Sequence, residues 1–193
     1  MTEAASQGPQ EPQPEQPTDM LPEEQKAYKY TNGCAYDGMW KANRRHGHGT
    51  FTWPSGSTYT GEFKHDKRNG QGKIQYADQS VYEGEWRHDQ KDGQGTFSWL
   101  GGASYQGGFR DDVMHGQGVF AWESGARYEG LWSNNKKNGK GKMTYKDGSV
   151  YEGDWKDDKR HGEGVMTWTN GTLYEGDFHE DVRHGTGKYR WPN

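Results

Sequence analysis

Four histidines hold one place in the sequence. His46, His115, His161 and His184 each open a His-Gly-x-Gly tetrad. Imidazoles in a column raise the question of metal ligation, since histidine nitrogen is a common zinc ligand. The geometry argues against it. If the tetrads lie on successive hairpins, His161 and His184 stand two strand spacings apart, about 10 Å, whereas ligands of one zinc each lie about 2 Å from it. His46 and His48 can pair, but two ligands are too few for a closed site. Glu83 and Glu85 set two carboxylates on one strand face, the residue types used in glycoside hydrolysis. On an open sheet with no pocket they read as solvated surface. The Gly-x-Gly elements are not phosphate loops, because none leads into a helix whose N-terminus could hold the anion. No nucleophile stands beside a base. The sequence therefore offers no catalytic, metal or cofactor set, and a non-enzymatic protein is expected.

The elements that carry these residues repeat. Tyr recurs at Tyr36, Tyr59, Tyr82, Tyr105, Tyr128, Tyr151 and Tyr174, always 23 residues apart. Two residues later comes glycine, at Gly38, Gly61, Gly84, Gly107, Gly130, Gly153 and Gly176. Two further on is a large ring, at Trp40, Phe63, Trp86, Phe109, Trp132, Trp155 and Phe178. A polar loop, the Gly-x-Gly pair and a second alternating pair such as Phe51 and Trp53 complete each unit. A period of two is the strand signature, so each unit is a hairpin. Glycine density and the lack of any helical apolar period disfavour helix. Tyr28 and Tyr30 stand 23 residues before Phe51 and Trp53, so a half repeat is expected to begin near Ala27. Asn or Asp closes every first loop, from Asn43 to Asp181, types that tolerate left-handed backbone.

One hairpin cannot bury its rings alone. Stacked hairpins bury them in continuous rows, with glycine leaving room for a neighbouring ring. Two strands per repeat at about 4.8 Å each give seven repeats a length of roughly 65–70 Å. The expected fold is all-β: an elongated, single-layer, twisted antiparallel sheet over residues 27–193, behind a disordered tail at 1–26.

Composition agrees with that architecture. Only 28% of the chain is hydrophobic, and half of that is aromatic. Mean hydropathy is -1.37. Five of the seven prolines fall in the first 22 residues, a segment too poor in apolar surface to order itself. The net charge of -4 is split, since residues 1–25 hold six carboxylates and no Lys or Arg, which leaves +2 on the rest. A near-neutral body does not predict nucleic-acid binding. A single cysteine, Cys34, permits no internal disulfide. There is no apolar run long enough to span a membrane and no secretory signal pattern. A cytosolic location is expected.

The unit Tyr-Glu-Gly-Glu-Trp (Tyr82 to Trp86), then Asp-Gly-Gln-Gly-Thr-Phe (Asp92 to Phe97), resembles the MORN repeat. The departures are Gly108 in place of the usual acid and Gln79 in place of the turn glycine. The resemblance implies a scaffold of elongated sheet, without catalysis of its own. The repeat layout and acidic tail are most similar to the radial spoke head MORN proteins of cilia and flagella. That implies a structural part in the axoneme with other spoke subunits as partners.

Two surfaces are candidates for binding. The loop after each first strand is read as basic, and its pairs Arg44 and Arg45, Lys67 and Arg68, Lys136 and Lys137, Lys159 and Arg160 are expected to line one long edge. Such an edge could meet anionic lipid, the alternative reading being a membrane-proximal adaptor, although interleaved Asp residues weaken the field. Repeat four departs from the polar pattern with Val113, Met114, Val119 and Ala121, beside Leu131. An exposed apolar cluster of this kind is a candidate partner patch. Open sheet edges add the possibility of self-association.

Overall fold

The computed structural model describes residues 21–192. The tail expected at 1–26 lies outside the described residues up to position 20. A leading strand, β1 (Glu24–Lys29), is followed by seven hairpins: β2 (Ala35–Lys41) and β3 (Arg44–Thr52), β4 (Thr58–Lys64) and β5 (Lys67–Gln75), β6 (Val81–Arg87) and β7 (Gln90–Ser98), β8 (Ser104–Arg110) and β9 (Val113–Ala121), β10 (Arg127–Ser133) and β11 (Lys136–Thr144), β12 (Val150–Lys156) and β13 (Lys159–Thr167), β14 (Leu173–His179) and β15 (Val182–Arg190). All fifteen pair in chain order into one antiparallel sheet. β1 starts three residues earlier than Ala27, because Glu24 pairs opposite Trp40 and the ladder continues to that point.

Register is fixed by glycine opposite glycine. Gly38 pairs with Gly49 and Gly49 with Gly61, and the same match recurs through Gly176 and Gly187. Into the space that these glycines leave, each Tyr lays its ring. Tyr59, Tyr82, Tyr105, Tyr128 and Tyr151 are 0% exposed and Tyr36 is 1%. Each hydroxyl donates to the carbonyl three residues on, as Tyr82 does to Glu85 at 2.9 Å and Tyr151 to Asp154 at 3.0 Å. Each ring also stands edge-on between two others. Tyr128 lies 5.2 Å from Trp132 of its own hairpin and 5.3 Å from Trp155 of the next. Burial of the ring and satisfaction of its hydroxyl are thus achieved together.

The connection inside each hairpin is shorter than expected. Only two residues separate β2 from β3, and both have positive φ, Ala42 at 50° and Asn43 at 59°. A two-residue turn of this handedness matches the right-handed twist of the strands. The Lys/Arg pair therefore opens the second strand and is not part of a loop. The connections between hairpins are longer and close around a positive-φ glycine, such as Gly56 at 91°. Gln79 takes that place at 68° without the freedom of glycine. No helix among the described residues is long and apolar enough to cross a membrane.

Candidate functional site

Placing the basic pairs in strands sends their two members to opposite faces. Arg45, Arg68, Lys137 and Arg160 turn toward the rings. The Arg68 guanidinium carbon lies 4.1 Å from the centre of the Trp86 ring and the Lys137 ammonium 4.4 Å from that of Trp155. Burial pulls the Lys91 and Lys137 ammonium groups below their usual pKa, with Asp112 and Asp158 respectively opposing the shift. Arg44, Lys67, Lys136 and Lys159 point away and are exposed. Lys136 meets Asp157 at 3.4 Å and Lys159 meets Glu180 at 3.2 Å. The expected continuous basic edge is a correction in this respect: half of it is spent on ring faces, and half of the remainder is paired.

The same column fastens each repeat to the next. Asp66 Oδ1 accepts the Arg45 backbone N–H at 2.9 Å and the Asp66 N–H donates back to the Arg45 carbonyl at 3.0 Å. The Arg45 guanidinium adds a bond to the Asp66 carbonyl at 2.6 Å. The corresponding side-chain bonds join Arg68 to Asp89, Lys91 to Asp112, Met114 to Asn135, Lys137 to Asp158 and Arg160 to Asp181. Asn or Asp at this turn was expected on backbone grounds alone, and its second role as acceptor for the preceding repeat went unseen. The spacing of 21 residues from each basic residue to the acceptor was the available signal. Asp89→Ala is expected to lower stability by about 2 kcal/mol, from the lost charged acceptor and from left-handed backbone without Asx support. Asp89→Asn should cost far less, because Asn135 already serves in that place. Urea denaturation of both variants checks this.

On the face away from the rings, a row of carboxylates seals the bulges. Glu62 accepts the Gln71 N–H at 2.7 Å, Glu85 that of Gln94 at 2.8 Å, and Asp177 that of Thr186 at 2.8 Å. Repeats four and five break the row with Gly108 and Leu131. A Cβ at position 108 would collide with the His115 carbonyl oxygen, and Leu131 lays a methyl group over Gly139. Val113, Val119 and Ala121 are half-buried, and Leu131 stands opposite Gln117, two residues along the strand from Val119. Met114 is separated from them, being packed into the ring core where other repeats place Arg or Lys. The same face carries an open trough of about 1490 Å³ across β10 to β15, lined among others by Glu129, Lys142, Glu152, Val165, Glu175 and Lys188. Glu83 pairs with Lys73 at 3.1 Å on the same face.

The histidine column has a partner that the sequence did not suggest. His179, on β14, sits between His161 and His184, with ring centres 4.9 and 5.7 Å away. Among the described residues no group of three or more His, Cys, Asp or Glu side chains is arranged to hold a metal ion.

A third row of rings ends the odd strands: Tyr30, Trp53, Tyr76, Trp99, Trp122, Tyr145, Trp168 and Trp191. It is less buried than the inner rows, Trp99 being 37% exposed. Its members are separated by the side chains of the row between, as where Phe51 lies 6.0 Å from Tyr30 and 4.6 Å from Trp53.

Comparison with known proteins bears on the repeat. A family model described as MORN repeat matches residues 36–58, 59–81, 82–103, 105–127, 128–150, 151–173 and 174–193. No match is found among the curated proteins. Among solved structures, the TCP10 domain of Danio rerio CPAP in complex with a peptide of Danio rerio STIL is 17% identical, with a TM-score of 0.47, covering 78% of this chain and 67% of that one. The SAS-4 (dCPAP) TCP domain of Drosophila melanogaster, in complex with a Proline Rich Motif of Ana2 (dSTIL), is 10% identical, with a TM-score of 0.46, covering 97% and 99%. These likenesses are too distant to bear on function.

Proposed function

Because the chain belongs to the MORN-repeat family, we propose that it is a non-catalytic scaffold for protein assembly, serving as a radial spoke head component of the ciliary or flagellar axoneme. The observation that carries the scaffold reading is the continuity of the array. Every junction between successive repeats holds the same reciprocal pair of backbone and side-chain bonds. Stability in such an array comes from neighbour contacts, and the result is an extended body with long faces for other subunits. The interrupted carboxylate row at Gly108 and Leu131, with Val119 and Ala121, is the surface we assign to a partner subunit. The axonemal place rests on the resemblance of repeat layout to the spoke head proteins.

The experiment is fractionation. Isolated cilia are extracted with non-ionic detergent, and both fractions are probed for this protein. Retention with the insoluble axoneme, followed by release with the spokes at high salt, is the expected result. Release with the membrane, or absence from cilia, overturns the axonemal reading. It would move the question to salt-sensitive liposome binding through Arg44, Lys67, Lys136 and Lys159.

A further inference from the structure

The charge pattern of the ring face breaks at one junction between repeats. Five junctions join a ring-face cation to an aspartate of the next repeat: Arg45 with Asp66, Arg68 with Asp89, Lys91 with Asp112, Lys137 with Asp158 and Arg160 with Asp181. The fourth in the series joins Met114 to Asn135, and both members are neutral. Elsewhere these cations cover rings. In the middle row, the Arg45 guanidinium carbon lies 4.8 Å from the centre of Phe51, the Lys91 ammonium 5.3 Å from that of Phe97, and the Arg183 guanidinium carbon 5.5 Å from that of Tyr189. Phe120, the remaining aromatic of that row, belongs to the Met114 repeat and has no such cation among the described residues. Phe51 is buried under Arg45, whereas Phe120 is only half-buried.

The uncovered ring sits in a cluster. Trp122 lies 4.5 Å from Phe120, Trp99 5.2 Å and Trp132 6.0 Å. Trp99 is 37% exposed, and Leu100, which follows it, is 67% exposed. Both lie mid-array, with paired strands on either side. The other exposed large apolar side chains, Tyr28, Val182, Tyr189 and Trp191, lie in or beside β1 and β15. The turn Leu100-Gly101-Gly102 has no charge of its own, but Glu123 of the next turn reaches it. A Cβ built on Gly101 would stand 3.2 Å from the Glu123 Oε2. That exposed carboxylate forms no ion pair among the described residues. The nearest cations are engaged elsewhere. Lys91 meets Asp112 at 3.7 Å, and Lys137 lies closer to Trp155, at 4.4 Å, than to Trp122, at 5.9 Å.

Uncovered ring faces beside a free carboxylate select a cation, because the ring quadrupole attracts one. Arginine suits better than lysine. Its guanidinium is planar and weakly hydrated, stacks on aromatic faces, and keeps donors at its edge for a carboxylate. The Leu100 side chain adds an apolar rim for a residue adjoining that arginine.

We propose that Phe120, Trp99, Trp122, Leu100 and Glu123 form a docking site for an arginine side chain of a protein partner. The guanidinium lies on the rings, Glu123 accepts from its edge, and Leu100 touches an apolar neighbour in the partner chain. The partner thus provides at this junction the cation that the other repeats provide from within. The site is on the face opposite Gly108 and Leu131, and it stands or falls without reference to the axonemal place.

The test titrates the full chain with acetyl-Leu-Arg-Leu-amide, and with the same peptide carrying uncharged citrulline for arginine, while NMR follows the indole N–H resonances. Trp99 and Trp122 are expected to shift saturably with the arginine peptide and several-fold less with the citrulline peptide. Trp53, whose neighbour Phe51 already carries Arg45, should not move. Met114→Arg with Asn135→Asp rebuilds the junction seen at Arg68 and Asp89, and should abolish the shifts. Glu123→Gln, at an exposed position outside the ring core, should weaken binding several-fold with the melting temperature unchanged, and it decides the matter alone if the double variant fails to fold. Silence of Trp99, equal response to the two peptides, equal response of Trp53 and Trp99, or undiminished binding in either folded variant overturns the proposal.

Discussion

Gly153→Val is expected to lower the melting temperature by about 10 °C, while Glu152→Val beside it moves it by no more than about 2 °C. The two positions differ only in face. A Cβ on Gly153 would stand 2.5 Å from the Gly164 Cα, 2.6 Å from the Glu163 carbonyl oxygen and 2.7 Å from the Tyr151 hydroxyl. Two of those neighbours are backbone, so the strain cannot be relieved by turning a flexible side chain. The Tyr151 ring must leave its place, and with it goes the bond to the Asp154 carbonyl. Overpacking and the lost bond together amount to about 4 kcal/mol, and each kcal/mol moves a chain of this length by about 2–4 °C. Glu152 projects to the other face, where its contact with Lys142 is 4.0 Å between exposed groups. Such pairs contribute little. Calorimetry is the measurement. Because the array is held by nearest neighbours, the expected trace is also broadened, as repeats on either side of Gly153 separate in stability. An unchanged melting temperature would contradict the ring-over-glycine packing.

The hairpins were legible because their signal is local and strong. Tyr, Gly and Trp at alternate positions can face one way only in a strand, and the 23-residue interval fixes the rest. The turn between the strands was less legible. Its first residue is Ala42, His65, His88, Asp111, Asn134, Asp157 or Glu180, types with nothing in common beyond polarity in most copies. With the turn read as longer than it is, the Lys/Arg pair fell into a loop. Its alternation between faces, and so the placing of Arg68 on Trp86 and of Met114 in the core, could not follow. The reciprocal bonds between repeats were hidden for another reason. They join residues of neighbouring hairpins, and which residues meet there depends on the bulge in each pair, as between Gly84 and Trp86. His179 escaped notice because it lies outside the repeating tetrads. The pairing of β13 with β14, in which Gly162 stands opposite Phe178, brings it into their column.

Raising the pH is expected to unfold the array in one step between about pH 11 and 12. The cause is the tyrosine row. Burial pushes the Tyr36 hydroxyl up to about 12, and it raises Tyr59, Tyr82, Tyr105, Tyr128 and Tyr151 further still. An unfolded tyrosine titrates near pH 10. Above that pH the unfolded chain releases protons that the folded one retains. The stability these rings contribute is therefore fully present below pH 10 and is lost as pH rises toward the folded values. Each tyrosine contributes a slope of up to about 1.4 kcal/mol per pH unit, so six together approach about 8 kcal/mol per unit. A domain's whole stability is about 5–15 kcal/mol, so one to two units suffice. Deprotonation of exposed lysines acts in the same range, but their ion pairs are weak and screened by salt. The midpoint should therefore hold at high ionic strength. The tyrosinate absorbance beyond that of exposed rings such as Tyr28 and Tyr189 should appear together with the change in far-UV circular dichroism in the same titration. Ionisation of all twelve tyrosines with the dichroism unchanged would mean that solvent already reaches the buried hydroxyls, and the buried row could not then be what holds the sheet together.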